Sequence, residues 1–209
     1  MAIDRRRFFD QVRVSLFRGR LTVPQVAGLT AILDCWRAHA PGERIDRLAY
    51  VLATAHHETG ATMQPVRETF AESDEAAIAI LERAFRAGRL AGVSKPYWLK
   101  DAEGKSWLGR GLVQLTHRAN YEKMSVATGI DLVAEPERAM ELDVAAKILV
   151  SGMLSGAFTG RRLAQYFDGS KADWTNARRI INGLDRAALV AGYGRAYRRA
   201  LNGTASATG

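Results

Sequence analysis

From Ile45 the chain reads IDRLAYVLATAHHETGATMQPVRE. Ile45, Leu48, Val51, Leu52 and Ala55 recur at helical spacing, which predicts a helix with one buried face. Gly60 stops it. Glu58 falls on or beside the same apolar stripe, at the C-terminal end of the helix. There, loss of water and the negative end of the helix dipole both disfavour the ionised carboxylate. A carboxyl group that keeps its proton near neutral pH is what a general acid requires. A second carboxylate, Glu68, follows beyond a loop that holds Pro65. A surface glutamate at a frayed helix end has the same local sequence, so the pair alone marks a candidate.

The 209 residues are enough for one substantial core with a smaller lobe. A hydrophobic share of 47% with 25% charged residues places the chain among soluble globular proteins. No apolar run approaches the ~20 residues that span a bilayer. The opening MAIDRRRFFDQ has a basic run, but Asp10 and Gln11 interrupt the apolar segment after Phe8 and Phe9, so it makes a poor secretory signal. The single Cys35 excludes an internal disulfide and reads as a core thiol. The net charge of +8 suits a polyanionic partner: nucleic acid, anionic wall polymer or anionic lipid. The arginines are scattered in clusters at 5–7, 18–20, 161–162, 178–179 and 195–199, a pattern typical of a solvated surface rather than one groove.

The rest of the chain is mostly helical in pattern. Phe8, Phe9, Val12, Leu16 and Phe17 outline a first helix. Pro24 suits the first turn of a second, traced by Val26, Leu29, Ile32, Leu33 and Trp36. Thr69 and Glu72 have capping-box spacing ahead of a helix carrying Ile78, Leu81 and Phe85. Residues 91–115 break the pattern with Pro96, Gly104, Gly109 and Gly111, which predicts a short hairpin or extended region turning near Glu103 and Gly104. Thr116 is placed to cap a helix running to Gly129. Glu135-Pro136 opens a long helix through Met140, Val144, Ile148, Leu149 and Met153. Short helices follow at 163–167 and at 173–181, the latter capped by Asp173, before a basic helix over 185–201. A single domain is expected, with a smaller lobe at about 69–108 and a mobile tail at 203–209.

Several motifs fail on inspection. His57-Glu58 opens like a zinc-protease HExxH, but the second histidine would be Ala61. His56 and His57 point to different faces, and four histidines with one cysteine give little to hold a metal. Gly104-Lys105-Ser106 lacks the leading glycine of a phosphate loop, since position 99 is Leu. The stretch GRGLVQLTHRANY over 109–121 survives. Its two glycines let the backbone approach something closely. Gln114 and Thr116 alternate with Val113 and Leu115, so they share a face of an extended segment, with Asn120 and Tyr121 on the next helix. Amides and hydroxyls beside two carboxylates suit a sugar.

AHHETG followed by GRGLVQLTHRANY resembles the glycoside hydrolase family 19 catalytic domain, in the form found in phage endolysins. Arg179-Ile180-Ile181-Asn182-Gly183 is similar to that family's third block, and the likeness runs over about 46–201. The resemblance implies a mainly α, lysozyme-like fold with a cleft between two lobes. It implies Glu58 as general acid, Glu68 (in VRETF) as general base and Thr116 as the hydroxyl that helps hold the attacking water. Gln114, Asn120, Tyr121 and Asn182 are the implied substrate contacts. The chain departs from the family pattern at Ala61, Ala119 and Leu184. The plant chitinases place their base farther downstream, which leaves Glu72, Asp74 and Glu82 as alternatives to Glu68.

The reaction so implied is hydrolysis of β-1,4 glycosidic bonds in peptidoglycan by an inverting two-carboxylate mechanism, with no metal or organic cofactor. Chitin hydrolysis by the same residues and lytic transglycosylation are the alternatives within sugar chemistry. A basic helical nucleic-acid binder is the alternative outside it, but no reading module is recognisable. The expected partner is the wall glycan, met by a monomer. An anionic outer-membrane surface is a second partner, through Arg186, Arg195, Arg198 and Arg199 beside Leu189, Val190, Tyr193 and Tyr197. Without a secretory signal, such an enzyme would accumulate in the host cytoplasm and reach the wall through a permeabilised membrane.

Overall fold

The computed structural model describes residues 3–202; the expected tail at 203–209 lies outside them. The architecture is mainly α. Seven α-helices are described: α1 (Arg5–Ser15), α2 (Val23–His39), α3 (Ile45–Glu58), α4 (Asp74–Arg86), α5 (Arg118–Thr128), α6 (Leu142–Ser155) and α7 (Ala187–Asn202). Two small antiparallel pairs join them. β1 (Val66–Arg67) pairs with β2 (Arg110–Gly111), and β3 (Phe167–Asp168) pairs with β4 (Lys171–Ala172). No described helix is long and apolar enough to cross a membrane.

The helix α3 is the axis of the main core. Its expected single stripe is too modest: every residue from Leu48 to His56 is buried. It lies between α7, α2 and α6, so no face is left for water. Small residues allow this. Gly194 of α7 sits against Trp174 and Tyr50, where an added Cβ would stand 2.7 Å from the indole. Gly28 of α2 meets the carbonyl oxygen of Met63 so closely that a Cβ would lie 1.7 Å from it. The second helix is capped by a reciprocal box, Thr22 accepting from the Gln25 N–H and the Gln25 side chain accepting from the Thr22 N–H. A separate, smaller apolar cluster of Ala77, Leu81, Trp98 and Leu108 draws only on residues between 71 and 108 with its fringe of Ile78, Phe85 and Tyr97.

Four local expectations are corrected. The cap of α4 is Ser73, which accepts from the Ala76 N–H, and not Thr69, which turns with φ +63. Helix α5 starts after His117 rather than Thr116, because His117 breaks the chain at φ +65 with no side-chain cap. The long helix from Pro136 is two pieces, a 3-10 helix Pro136–Met140 and α6, parted at Glu141 by an extended ψ of 131°. The region at 163–181 holds a hairpin as well as helices, since β3 and β4 fall between the 3-10 helices Leu163–Gln165 and Asn176–Ile180. Asp173 is not the N-cap of the second of these, which is Thr175 with no side-chain cap, but its carboxylate does accept from the Asn176 N–H at 3.1 Å. The turn near Gly104 is also present, held by Asp101.

His56 is enclosed by Phe17, Tyr193 and Tyr197, and its Nδ1 lies 3.0 Å from the Tyr197 hydroxyl. Burial, and after it the neighbouring His57, pull its pKa from 6.5 down to about 4. The unfolded chain takes up this proton near pH 6.5 while the folded chain resists until about 4. Its contribution to stability is therefore intact above 6.5 and lost as pH falls towards 4. Urea unfolding between pH 6.5 and 4.5 should show stability falling with acid, and His56→Asn should reduce that slope by up to about 1.4 kcal/mol per pH unit. An unchanged slope would refute the assignment.

Candidate functional site

Two clusters hold the residues singled out from the sequence. The first forms at the end of α3. Thr59 caps that end: its hydroxyl donates to the Ala55 carbonyl at 2.7 Å and accepts from the Met63 N–H at 3.0 Å. This fixes the direction in which Glu58 leaves the helix. Its side chain is only 15% exposed, and Oε1 accepts from Arg178 Nη1 at 2.6 Å. Arg178 belongs to the 3-10 helix Asn176–Ile180, is itself 3% exposed, and donates from Nε to the Asp185 carbonyl at 3.1 Å. Glu58 is therefore paired with a buried arginine, where the sequence predicts a carboxyl group alone on an apolar stripe. Asn182 lies at the exposed exit of the same segment, its amide N–H bonded to the Arg178 carbonyl and its side chain accepting from the Gly183 N–H. His57 stands beside the pair, and burial outweighs the pull of Glu58 to lower its pKa, which favours the neutral imidazole.

The second cluster forms around Glu68. Pairing of β1 with β2 brings the residue after Arg67 against the residue before Arg110, and the Glu68 N–H donates to the Gly109 carbonyl at 2.7 Å. The carboxylate returns to the same residue: Oε2 accepts from the Gly109 N–H at 2.9 Å, while Oε1 accepts from the Tyr97 hydroxyl at 2.6 Å. Tyr97 lies 4.2 Å from the His117 ring, and its phenol is pushed far up by burial and then by Glu68, so it remains a donor. A Cβ on Gly109 would lie 2.1 Å from Gln114 Oε1 and 3.1 Å from Thr116 Cγ2. Glu68, Gly109, Gln114 and Thr116 therefore meet. Neither the Gln114 side chain nor the Thr116 hydroxyl bonds to another described residue.

The segment between Gly109 and Thr116 is not extended as expected. Residues 112–114 turn, and Arg110 bridges back to Leu115. The turn still leaves Gln114 and Thr116 on one side, above Gly109. Asn120 turns inward and donates from Nδ2 to the Thr116 carbonyl at 2.8 Å. Tyr121 requires a correction as a ligand contact. It is fully buried, accepting from Arg110 Nη1 at 2.8 Å and donating to the Leu108 carbonyl at 2.9 Å. It braces the wall from behind. Among the alternative acids, Asp74 is held by Arg67 at 2.7 Å and by Arg110. Burial raises its pKa, but the two arginines outweigh this and the net shift is downward. Glu82 accepts from the Trp98 indole and pairs with Arg86, and Glu72 is exposed.

Phe70, which follows the second cluster in the chain, comes near the end of α3. A Cβ on Gly60, two residues past Glu58, would lie 3.8 Å from Phe70 Cε1, two residues past Glu68. Phe70 is 64% exposed and sits at φ +58 directly after Thr69 at +63. Two consecutive left-handed non-glycine residues are strained, and such strain gathers at working sites. A pocket of about 570 Å³ lies elsewhere, at the start of α3, lined by Ile3, Leu33, Trp36, Ile45 and Leu48 with Arg5 at its rim. Among the described residues, no group of three or more His, Cys, Asp or Glu is placed to hold a metal ion.

Sequence reasoning missed Arg178, Tyr97 and Phe70. Arg178 was hidden in an Arg-Arg pair that reads as surface charge; its only cue is the apolar setting of Ala177, Ile180 and Ile181. No family model matches the chain. No curated protein matches it either.

Removing one partner of a mostly buried ion pair leaves the other charge without compensation. Arg178→Met should lower the unfolding free energy by about 3 kcal/mol, with part of the loss returning in the Glu58→Gln/Arg178→Met double variant. Urea denaturation of the four proteins checks this, and strictly additive losses would show that the pair is not coupled.

Proposed function

We propose that the chain is a peptidoglycan hydrolase of the endolysin type, cutting β-1,4 bonds of the wall glycan by single displacement. The reading rests on the likeness to glycoside hydrolase family 19 in three ordered segments. The observation that carries it is the meeting of Glu68, the Gly109 N–H, Gln114 and Thr116, with hydrogen-bonding groups left open. A carboxylate offers about four lone-pair directions. Tyr97 and Gly109 take two at Glu68, leaving room for a water that the Thr116 hydroxyl also reaches.

In this mechanism Glu68 removes a proton from the water as its oxygen bonds to the anomeric carbon. The bond from that carbon to the leaving oxygen breaks, and Glu58, which takes up a proton from solvent and leaves its pairing with Arg178 before this step, gives that proton to the leaving oxygen. The Glu58 carboxylate formed in this step is held by Arg178. Exchange with solvent returns the proton from Glu68 and reloads Glu58. Gln114 and Asn182 offer amides to the sugar hydroxyls, Asn120 orients Thr116, and Phe70 presents an aromatic face to a sugar ring. No metal or organic cofactor takes part, since two carboxyl groups in different settings supply both acid and base.

The separate apolar cluster within 71–108 supports a smaller lobe against the main helical core, as in a two-lobed, lysozyme-like arrangement. The enzyme would act as a monomer, accumulate inside the host and reach the wall once another protein has opened the membrane. The charge of +8 favours contact with anionic wall and envelope.

Clearing of purified peptidoglycan tests the proposal. Glu58→Gln and Glu68→Gln should each cut the rate by roughly a thousandfold or more while far-UV circular dichroism stays unchanged, whereas Thr116→Ala should lose about tenfold to a hundredfold. Wild-type clearing by folded Glu58→Gln would overturn it. Products short by one water, carrying an anhydro sugar, would assign transglycosylation instead, and turnover of chitin oligomers but not of wall would assign a chitinase.

A further inference from the structure

The β3–β4 hairpin, the start of α3 and the last turns of α7 enclose an open pocket of about 450 Å³. Asp46, the second residue of α3, belongs to it, while Glu58 is the last residue of that helix. At 1.5 Å per residue the two are roughly 18 Å apart along the axis. The pocket thus lies at the other end of α3 from Glu58, and none of the residues around Glu68 lines it.

Its lining is dominated by arginine. Arg44, Arg195, Arg198 and Arg199 come from two distant parts of the chain and face one acid, Asp46. Asp46 is 4% exposed and organises two of them: it accepts from Arg44 Nη2 at 2.8 Å and from Arg198 Nε at 2.6 Å. Arg44 Nη1 also donates to the Gly169 carbonyl at 2.7 Å, which fastens the hairpin to the pocket wall. Its Nε is buried with no hydrogen-bond partner. Arg195 and Arg199 stand one turn apart on α7, exposed, and neither has an ion-pair or hydrogen-bond partner among the described residues. Trp174 forms the floor, 8% exposed and pressed against Gly194. The Ser170 hydroxyl at the hairpin turn is exposed beside them.

Four guanidiniums against one carboxylate give the pocket a formal charge of +3. Like charges three and four apart on a helix repel, and an anion seated between them relieves that repulsion. A solvated surface has scattered arginines, each with its own acid or with water. Here a buried acid sets the forks of two arginines while two others are left unpaired at the same opening. Guanidinium forks match the oxygens of phosphate in paired hydrogen bonds. The site is an open recess with one cluster of guanidiniums at a single opening, not a row of them along which a nucleic-acid backbone would run. The apolar side of α7 is not available for membrane insertion in this region, because Val190 and Tyr197 are buried in the core. The helix presents its arginines.

We propose that this pocket binds a compact phosphate group carrying two or more negative charges, a phosphomonoester or diphosphate, either free or borne on a lipid head group.

Calorimetric titration with pyrophosphate at physiological ionic strength tests this on the full chain. The wild type should bind, and Arg195→Gln/Arg199→Gln should bind at least about tenfold more weakly, as expected for losing charge-assisted hydrogen bonds. Arg18→Gln/Arg20→Gln, which removes the same charge from an exposed turn elsewhere, should bind like the wild type. Unchanged melting of the pocket variant shows that it is folded. Phosphatidylcholine vesicles doped with phosphatidic acid separate the sources. Capture of the protein that pyrophosphate reverses identifies a lipid-borne phosphate; pyrophosphate binding without capture identifies a free one. Both support the proposal. It is overturned if neither probe binds, if both double variants weaken binding equally, or if duplex DNA binds and pyrophosphate fails to compete.

Discussion

Burial on every side of α3 sets the geometry of the rest. Residues from Leu48 to His56 leave no face open to water, so the helix can neither roll nor slide without opening the core. Its last turn inherits that rigidity. Thr59 closes the helix end with two hydrogen bonds, and α2 presses on Met63 at Gly28 with no room for another carbon. Glu58 is thus mounted at the end of a helix packed on every side. Arg178, buried from the opposite side, meets it there.

A second constraint serves Glu68. Arg110 is 1% exposed and gathers the Ser106 carbonyl, the Tyr121 hydroxyl and Asp74 about one guanidinium. Asp74 opens α4 and also binds Arg67, which precedes Glu68. One buried charge network therefore ties the start of α4, β1, β2 and α5 together. Burying such charges costs solvation, and a hydrophobic cluster of equal volume would be no less stable. What the network supplies is position. It holds Gly109 so that its N–H and carbonyl both face Glu68, and it keeps Gln114 and Thr116 above them.

Helical spacing made the long helices legible. It placed α1, α2, α3 and α7 within a few residues, because each buries a repeating apolar face. It misjudged what depends on distant partners. The sequence around Thr69 has capping-box spacing, yet that residue turns left-handed just after β1, and Ser73 caps instead. Pro136 reads as the first turn of one long helix, but the chain breaks at Glu141. At the candidate site, the acids and amides were visible as residue types at suggestive spacing. Their holders were not: Arg178 and Tyr97 act across 120 and 29 residues of chain, and no local pattern marks such a pairing. Tyr121 shows the converse. Its place in a suggestive segment pointed to ligand contact, whereas its hydroxyl is consumed inside the wall.

The central claim is that two acids, mounted on independent supports, act on opposite faces of one sugar. The stereochemistry of the product reports this directly. Proton NMR of a defined peptidoglycan glycan fragment, recorded within the first turnovers and before mutarotation, resolves the anomer first released at the new reducing end. The account predicts the α-anomer, since a single attack by water on a β-linked carbon inverts it. Release of the β-anomer would mean a double displacement, and would contradict the roles given to Glu58 and Glu68.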